Sequence, residues 1–438
     1  MRFAKWFAVL VVVVFSASSA MAAGFRLPEA GAKAMGMGFA FTAQADNPSA
    51  IYFNPAGITQ LKGSNLLFGG TFIQENGGTF TGLTNTAPTF SSKTETQKDL
   101  TFIIGDAYYT RTTSTGFAYG VGIFTPFGLG QEYKDRNTSI FRNQITKIDL
   151  QTIVVNPTVA YKVNEFLSVG AGIDYMYGRA KLAKNAMYPV DNSTNLYNLD
   201  LKGDGDAWGY NFGLLLTPSQ NVRIGFSYRS PFTLEIKDGD VEIRNIDNTA
   251  ILGAGPTYAT TIFGGTSFNT KGSAVIRMPA TAALGVAYTM GRLTVEADAD
   301  WTFWHSYKSL PIDIRNNNSI LPDSNAAKNW KDVCALRIGA EYRVTDPLSL
   351  RAGFVYDPTP APAETLGPEL PDATRQNYMV GAGYKIGPWT IDGAFMYVKK
   401  NDRTVSNIRL DENNRATGMN GTWSGDAWLA GLDIGYKF

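Results

Sequence analysis

The stretch Ala427–Phe438, AWLAGLDIGYKF, ends the chain and alternates two kinds of side chain. Its even-numbered positions, from Trp428 to Phe438, are apolar or aromatic, whereas its odd-numbered positions include the charged Asp433 and Lys437. Successive side chains of a β-strand point to opposite faces, so this stretch predicts a strand with one apolar and one polar face. Aromatic residues at both ends of the apolar face are typical of a strand that crosses a membrane.

The same alternation recurs upstream, for example over residues 167–177, 293–303 and 336–344. The alternating segments are separated by short turns near 112–115, 164–166, 218–221, 290–292, 345–347 and 387–388, and by long polar loops at 75–98, 128–147, 181–204, 238–271, 305–330, 358–374 and 401–425. Short periplasmic turns that alternate with long extracellular loops are characteristic of outer-membrane barrels. The sequence therefore predicts an all-β fold, a 14-stranded antiparallel transmembrane β-barrel with both ends in the periplasm.

The composition argues against several classes of function. The 438 residues include 39 basic and 38 acidic residues, and a net charge of +1 does not indicate nucleic-acid binding. One cysteine and one histidine cannot form an internal disulfide or a Cys/His zinc site. His305 lies in an aromatic segment at a predicted strand end, which indicates an interfacial residue rather than a catalytic base. We therefore expect no catalytic residue, no metal and no cofactor.

The first 22 residues have the pattern of a secretory signal peptide. Arg2 and Lys5 precede an apolar run over residues 7–15, and Ala20-Met21-Ala22 is a small-x-small cleavage site. The apolar run is shorter than the ~20 residues that a membrane-spanning helix needs, which argues against an anchor. We expect export through the general secretory pathway to the bacterial outer membrane, with cleavage after residue 22.

A segment over residues 23–63 precedes the first predicted strand, and the barrel is predicted over 64–438. Asn54 followed by Pro55 and Ala56 places an N-cap residue before a proline at the first helical position, which predicts a short helical turn. A periplasmic tail is one interpretation of this segment. Its many apolar residues favour the other interpretation, a hatch folded into the lumen of the barrel.

Pro126 lies near the end of the third predicted strand and is followed by Phe127 and Gly128. Proline has no N–H to complete a ladder, so the strand must either kink or end at this position. Glycine just beyond it permits unusual backbone conformations.

Apolar residues in two predicted extracellular loops are candidates for ligand capture. They are Tyr188 and Tyr197 in loop 181–204 and Phe263 in loop 238–271. Such residues either form an exposed groove, as larger apolar surface patches often do, or pack on one another.

Three cations are candidates for binding a ligand carboxylate inside the barrel. Arg179 is the leading one, because a guanidinium can form two hydrogen bonds to a carboxylate, and Arg351 and Lys308 are weaker candidates. The alternative for each is an ion pair with an acidic residue of the lumen, from the set Glu296, Asp298, Asp300 and Glu341.

Short motifs occur along the whole mature chain in a characteristic order. They are Gly24-Phe25-Arg26-Leu27, Gly36-Met37-Gly38, Asn54-Pro55-Ala56-Gly57, Thr125-Pro126-Phe127-Gly128, Tyr177-Gly178-Arg179-Ala180-Lys181, Trp304-His305-Ser306-Tyr307, Asp357-Pro358-Thr359-Pro360 and Pro371-Asp372 with Arg375. This order, together with the strand count, resembles the FadL/TodX family of outer-membrane transporters for hydrophobic compounds.

The resemblance implies a barrel closed by an N-terminal hatch, ligand capture among the extracellular loops, transfer to a lumenal pocket and lateral release beside a kinked third strand. It also implies that Phe25 and Leu27 contact the substrate tail and that Asn54 ties the hatch to the barrel wall. The expected function is passive transport of long-chain fatty acids or related lipids. Uptake of monoaromatic hydrocarbons by the same route, a general diffusion porin and a surface receptor are the alternatives.

The resemblance also suggests the surroundings of the protein. We expect a monomer that contacts outer-membrane lipid and lipopolysaccharide and binds hydrophobic small molecules. The terminal Phe438 is of the kind that outer-membrane barrels present to the barrel assembly machinery.

Overall fold

The computed structural model describes residues 24–84, 93–187, 195–247, 259–318, 320–410 and 416–438. The predicted signal peptide and Tyr188 lie outside these residues. The hatch, the barrel wall and most of the extracellular connections lie within them.

Strands make up most of the described chain. They are β1 (Gly63–Thr84), β2 (Lys93–Thr96), β3 (Leu100–Thr112), β4 (Phe117–Phe124), β5 (Gly128–Glu132), β6 (Lys147–Lys162), β7 (Leu167–Met187), β8 (Asn195–Ser219), β9 (Val222–Arg229), β10 (Phe232–Arg244), β11 (Phe268–Met278), β12 (Thr281–Met290), β13 (Leu293–Thr302), β14 (Ser309–Ile314), β15 (Ser324–Ala327), β16 (Val333–Arg343), β17 (Leu348–Asp357), β18 (Arg375–Ile386), β19 (Trp389–Lys400), β20 (Arg403–Ser406), β21 (Arg409–Leu410), β22 (Ala416–Thr417) and β23 (Met419–Lys437). The helices are α1 (Ala32–Gly36), α2 (Ala50–Phe53) and α3 (Ala259–Phe263), with 3-10 helices at Pro55–Gln60, Trp304–Ser306 and Ala363–Thr365. None of the described helices is long and apolar enough to cross a membrane.

The long strands form one closed antiparallel sheet. It closes where β23 pairs with β1, from the pair Asn65–Lys437 to the pair Thr84–Met419. Seven barrel strands are interrupted and consist of two elements each: β2 and β3, β4 and β5, β9 and β10, β11 and β12, β13 and β14, β15 and β16, and β19 and β20. β21 and β22 form a separate two-stranded sheet. Counted in this way the barrel has 14 strands, and the predicted fold class, including a hatch of short helical turns, is confirmed.

The last strand has the two faces that its sequence predicts. Leu432 on the outer face is 55% exposed, whereas the side chain of Asp433 is buried in the lumen. Phe438 donates its N–H to the carbonyl oxygen of Ser64 at 2.9 Å, which joins the chain end to the first strand. Its ring packs 4.8 Å from that of Tyr436, as expected for an aromatic girdle at the periplasmic rim.

Several strands extend farther than the alternation predicts. β1 continues to Thr84, and the β7–β8 hairpin continues through residues that the sequence assigned to the loop 181–204. The stretch Lys202–Asp206 is strand although it contains only charged residues and glycine. An outer face that lies beyond the hydrocarbon layer needs no apolar side chains, so the alternation disappears there while the ladder persists.

Residues 24–62 fill the lumen with little regular structure, so their N–H groups need partners on the barrel wall. Carboxylates from inward-facing positions supply these partners. Glu296 accepts hydrogen bonds from the N–H groups of Ala43 (2.7 Å) and Gln44 (2.8 Å). Asp433 accepts one from Ala32 (2.7 Å). The hatch is therefore attached to the wall largely through its backbone.

Glycines on the inner wall let the hatch backbone approach closely. A Cβ added to Gly213 would lie 2.1 Å from the Oδ1 atom of Asn54, and one added to Gly339 would lie 2.1 Å from the carbonyl oxygen of Met37. Side chains do not approach other atoms so closely, so any larger residue at these positions would displace the hatch.

Removal of the hatch tests whether it closes the lumen. A chain without residues 23–60 is expected to give large, persistent single-channel currents in planar bilayers, whereas the full chain gives small ones, because the wall alone encloses a wide polar lumen. Large currents of equal size from both proteins would contradict a closed lumen.

Candidate functional site

The third barrel strand is interrupted at Thr125–Phe127, which includes Pro126. β4 ends before this segment and β5 begins after it, and both pair with β6. β4 also pairs with β3, up to the pair Ala107–Ile123, but β5 makes no ladder pairing with β3 within the described residues. Of the two alternatives that the sequence leaves open, the structure shows the kink, because the strand resumes beyond the proline.

The kink leaves a gap in the barrel wall between the second and third strands. β3 is paired with β1 along one edge, but along its other edge Leu100–Asp106 have no strand partner among the described residues. The second and third barrel strands meet again at the bridge between Gln97 and Tyr133. The ring of Phe102 from β3 lies against Gly130 of β5 and so lines the gap. A Cβ added to Gly130 would lie only 2.6 Å from the tip of that ring. The gap is therefore bordered by both apolar side chains and unpaired backbone.

The first residues of the hatch cover the kink from inside. Leu27 donates its N–H to the carbonyl oxygen of Pro126 at 2.8 Å, and Gly128 donates its N–H to the carbonyl oxygen of Phe25 at 2.9 Å. The hatch thus adds a very short antiparallel strand to the kinked segment. The glycine beyond the proline is the residue that carries the second hydrogen bond.

Between these hydrogen bonds, Arg26 and Phe127 face each other as a non-hydrogen-bonded pair. Their side chains point to one side of the short ladder, and that of Phe25 points to the other. Phe25 and Arg26 therefore contact two different spaces within the barrel, and the backbone of this segment separates them.

Phe25 lines an apolar cavity of about 90 Å³. Its ring packs 4.7 Å from Trp304 and 5.3 Å from Tyr307, between ring centroids. The remaining apolar lining residues come from seven neighbouring barrel strands and are Leu129, Ile148, Leu150, Ala180, Leu182, Leu201, Ile236, Val241, Ala274, Ile276, Leu310 and Ile312. Apolar walls of this kind are typical of sites for hydrophobic ligands.

Arg26 lies on the opposite side, among buried ion pairs. Asp300 binds both Arg26 (2.9 Å) and Arg337 (2.5 Å). Asp300, one of the four lumenal acids that the sequence offers as ion-pair partners, therefore binds two arginines that are not among the three predicted cations. Glu296 and Asp298 instead accept hydrogen bonds from hatch N–H groups, a role that the sequence did not reveal.

Asn54 joins the hatch to itself and to the wall. Its Oδ1 accepts a hydrogen bond from the N–H of Ala56 at 3.1 Å, which caps the 3-10 helix that begins with Pro55. Its Nδ2 donates to the carbonyl oxygens of Thr42 (2.8 Å) and Leu214 (2.9 Å), and Leu214 belongs to β8. One fully buried amide thus has both the capping role and the wall contact expected of it.

The three predicted carboxylate-binding cations do not meet in one site. Arg179 is exposed and alternates with the inward-facing Gly178 and Ala180, so its side chain lies on the outer face of the barrel and cannot act as a lumenal clamp. Lys308 is exposed beside the 3-10 helix Trp304–Ser306. Arg351 lies in the lumen, where its guanidinium is engaged by Glu341 (2.6 Å) and Asp392 (2.7 Å).

The described loop residues pack on one another rather than forming a groove. Tyr197 and Phe263 belong to a buried apolar cluster of the extracellular region, with ring centroids 5.5 Å apart. The hydroxyl of Tyr197 donates to the carbonyl oxygen of Ile320. Of the two alternatives for these loops, the structure therefore favours internal packing.

Glu29 is a buried acid of the hatch. Burial raises the pKa of its carboxyl to about 7 from an ordinary value of 4.5, although Arg375 and Arg337 oppose the shift. A raised pKa means that the folded hatch binds a proton that the unfolded segment releases. The contribution of Glu29 to stability is therefore greatest below pH 4.5 and is lost as the pH rises through about 7.

A family model described as "Outer membrane protein transport protein (OMPP1/FadL/TodX)" matches residues 13–438. The chain is 28% identical to the 47 kDa outer membrane protein of Pasteurella multocida, with 96% of each chain covered. It is 24% identical to the long-chain fatty acid transport protein of Escherichia coli O6:H1, with 98% of each covered.

Solved structures share the fold. A FadL homologue from Pseudomonas aeruginosa superposes with a TM-score of 0.77 at 21% identity, covering 95% of this chain and all (100%) of the other. The toluene transporter TodX from Pseudomonas putida superposes with a TM-score of 0.68 at 17% identity, covering 94% and 99%. At these identities the likeness shows the fold alone.

Replacement of Asn54 by alanine tests the attachment of the hatch. It removes three buried hydrogen bonds and leaves their partners unsatisfied, which should destabilise the docked hatch by about 2–4 kcal/mol. Amide hydrogen exchange should accelerate in residues 41–56 and stay unchanged in the barrel strands. Asn65→Ala, at the exposed start of β1, is the control. Equal hatch protection in both variants would contradict the role assigned to Asn54.

Proposed function

Because the chain belongs to the family of outer membrane transport proteins described as OMPP1/FadL/TodX, we propose that it carries long-chain fatty acids or related lipids passively into the outer membrane. The observation that carries this proposal is the arrangement around the hatch segment Phe25–Leu27. An apolar cavity lies on one side of this segment, and the kink with its gap in the wall lies beside it.

In the proposed route the substrate passes from the extracellular loops to the apolar cavity. The cluster that contains Tyr197 and Phe263 must separate for the substrate to enter, because it is closed in the present conformation. The tail then contacts Phe25 and the aliphatic residues around it. Apolar surface binds apolar solutes without directional contacts, so this step suits a range of chain lengths.

Release follows when the hatch segment leaves the kink. Two backbone hydrogen bonds join it to Pro126 and Gly128, and the ion pair between Arg26 and Asp300 must also break. Each such bond contributes about 0.5–1.5 kcal/mol net, so the segment can detach without any change in the barrel ladder. The substrate then leaves through the gap between the second and third strands, into the membrane rather than across it.

Monoaromatic hydrocarbons are the second candidate cargo. A lining that consists mainly of apolar residues favours an uncharged ligand, and toluene is the cargo named for the structurally similar TodX. A general diffusion porin is disfavoured, because residues 24–62 occupy the lumen.

Filling the apolar cavity tests the route. Ala180→Trp should place an indole in a cavity of about 90 Å³ and reduce uptake of oleate and toluene at least about tenfold, since overpacking displaces the ligand. The control is Ala297→Trp, on the exposed outer face of β13. Uptake is measured in a strain that lacks its own transporter.

Equal uptake by the two tryptophan variants would show that the substrate does not pass through this cavity. Failure of the unmodified protein to take up either oleate or toluene would contradict the proposed function itself.

A further inference from the structure

A second, smaller cavity of about 30 Å³ lies behind the kink, on the side of the hatch segment opposite to the apolar cavity. Pro126 and Phe127 of the third strand line it, together with Arg26, Arg229 and Arg337. Asp300 is the one acid among its described lining residues. Three arginines from the hatch, β9 and β16 thus converge on one small space beside the gap.

The arginines of this cavity have unequal partners. Arg229 is satisfied by Asp174, whose two carboxylate oxygens lie 2.5 and 2.6 Å from its Nη1. Arg26 and Arg337, by contrast, both bind the carboxylate of Asp300. Asp300 is therefore the acid that these two arginines have in common at this cavity.

Two further acids act on these arginines from outside the cavity. Asp298 attracts Arg337 electrostatically but does not line the cavity, and its Oδ2 accepts the N–H groups of Phe41 and Thr42, both at 3.1 Å. Asp357 lies with Arg26 and Arg337 around a neighbouring cavity of about 20 Å³. The described charged residues that line the cavity beside Pro126 are therefore Arg26, Arg229, Arg337 and Asp300.

Arg337 carries a buried donor without an acceptor. Its side chain is only 7% exposed, and its Nε–H has no hydrogen-bond partner among the described residues. A buried donor without an acceptor is unfavourable, and a carboxylate is the acceptor that a guanidinium binds most strongly. A cavity of about 30 Å³ has room for roughly two water molecules, and hence for the two oxygens of a carboxylate.

We propose that this cavity is a carboxylate-binding subsite, formed by Arg26 and Arg337, on the route from the apolar cavity to the gap. The ligand is the head group of a long-chain fatty acid whose tail still lies against Phe25 and Phe127. Displacement of the hatch segment joins the two spaces, because its backbone is what separates them. The subsite rests on the proposed function and narrows it, since an uncharged hydrocarbon gains nothing from these arginines.

The test compares two cargoes with the same tail, oleate and oleyl alcohol, in cells that express the full chain and lack their own transporter. Arg26→Gln and Arg337→Gln should each lower the initial rate of oleate uptake about tenfold, as loss of a charge-assisted hydrogen bond implies. Oleyl alcohol uptake should not change. Arg26→Lys and Arg337→Lys, which keep the charge, should restore part of the oleate rate.

Arg343→Gln, at the exposed periplasmic end of β16, removes one charge outside both cavities and should alter neither cargo. Equal loss of both cargoes in the glutamine variants would overturn the subsite in favour of a structural role. So would no loss of either cargo, or a parent protein that carries oleyl alcohol but not oleate. A parent protein that carries neither of these nor toluene would overturn the proposed function as well.

Discussion

Two backbone hydrogen bonds, from Leu27 to Pro126 and from Gly128 to Phe25, join the start of the hatch to the kinked third strand. Much of the described arrangement depends on them. A strand that breaks off within a barrel wall leaves backbone groups without partners, which is unfavourable at membrane depth. The hatch supplies partners from inside, so the kink is tolerated in the closed protein.

The same short ladder also determines the directions in which the side chains of Phe25 and Arg26 point. Alternation along an extended backbone sends Phe25 to the apolar cavity and Arg26 to the arginine-lined one. The two cavities therefore have opposite chemistry although they lie on either side of one segment. In the proposed route, detachment of that segment joins the apolar surface, the arginines and the gap in the wall into one continuous space.

The rest of the hatch is held by hydrogen bonds from its backbone to side chains of the wall. Its irregular backbone is buried, and carboxylates such as Glu296 and Asp433 accept its N–H groups, while glycines such as Gly339 let it lie directly on the wall. These contacts involve few side chains of the hatch itself. In the proposed route, the hatch therefore stays attached to the wall at many points while its first residues detach.

The barrel is predictable from the sequence because the membrane requires apolar side chains on the outward face of each strand. Apolar residues therefore recur at every second position of the sequence. The strand extensions beyond the membrane are not predictable, since a stretch such as Lys202–Asp206 has no apolar face.

Strand parity explains one wrong expectation. Tyr175, Tyr177 and Arg179 continue the same outward row of β7, so the arginine belongs outside, whereas Arg337 alternates with the exposed Leu336 and Ile338 and points inward. Arg26 was missed for another reason. It lies in a segment without helix or strand, where periodicity predicts no orientation.

The most direct test of the central role of the hatch segment is a reversible crosslink between Arg26→Cys and Phe127→Cys in a Cys334→Ser background. A non-hydrogen-bonded antiparallel pair has Cα atoms about 4.5 Å apart, within the range that a disulfide spans. Oleyl alcohol is the cargo, because the Arg26→Cys change removes the guanidinium of Arg26 and uptake of this alcohol is not expected to depend on it. Uptake by the oxidised protein should fall to that of cells without the transporter and return on reduction. Equal uptake by the fully oxidised and the reduced protein would contradict the account.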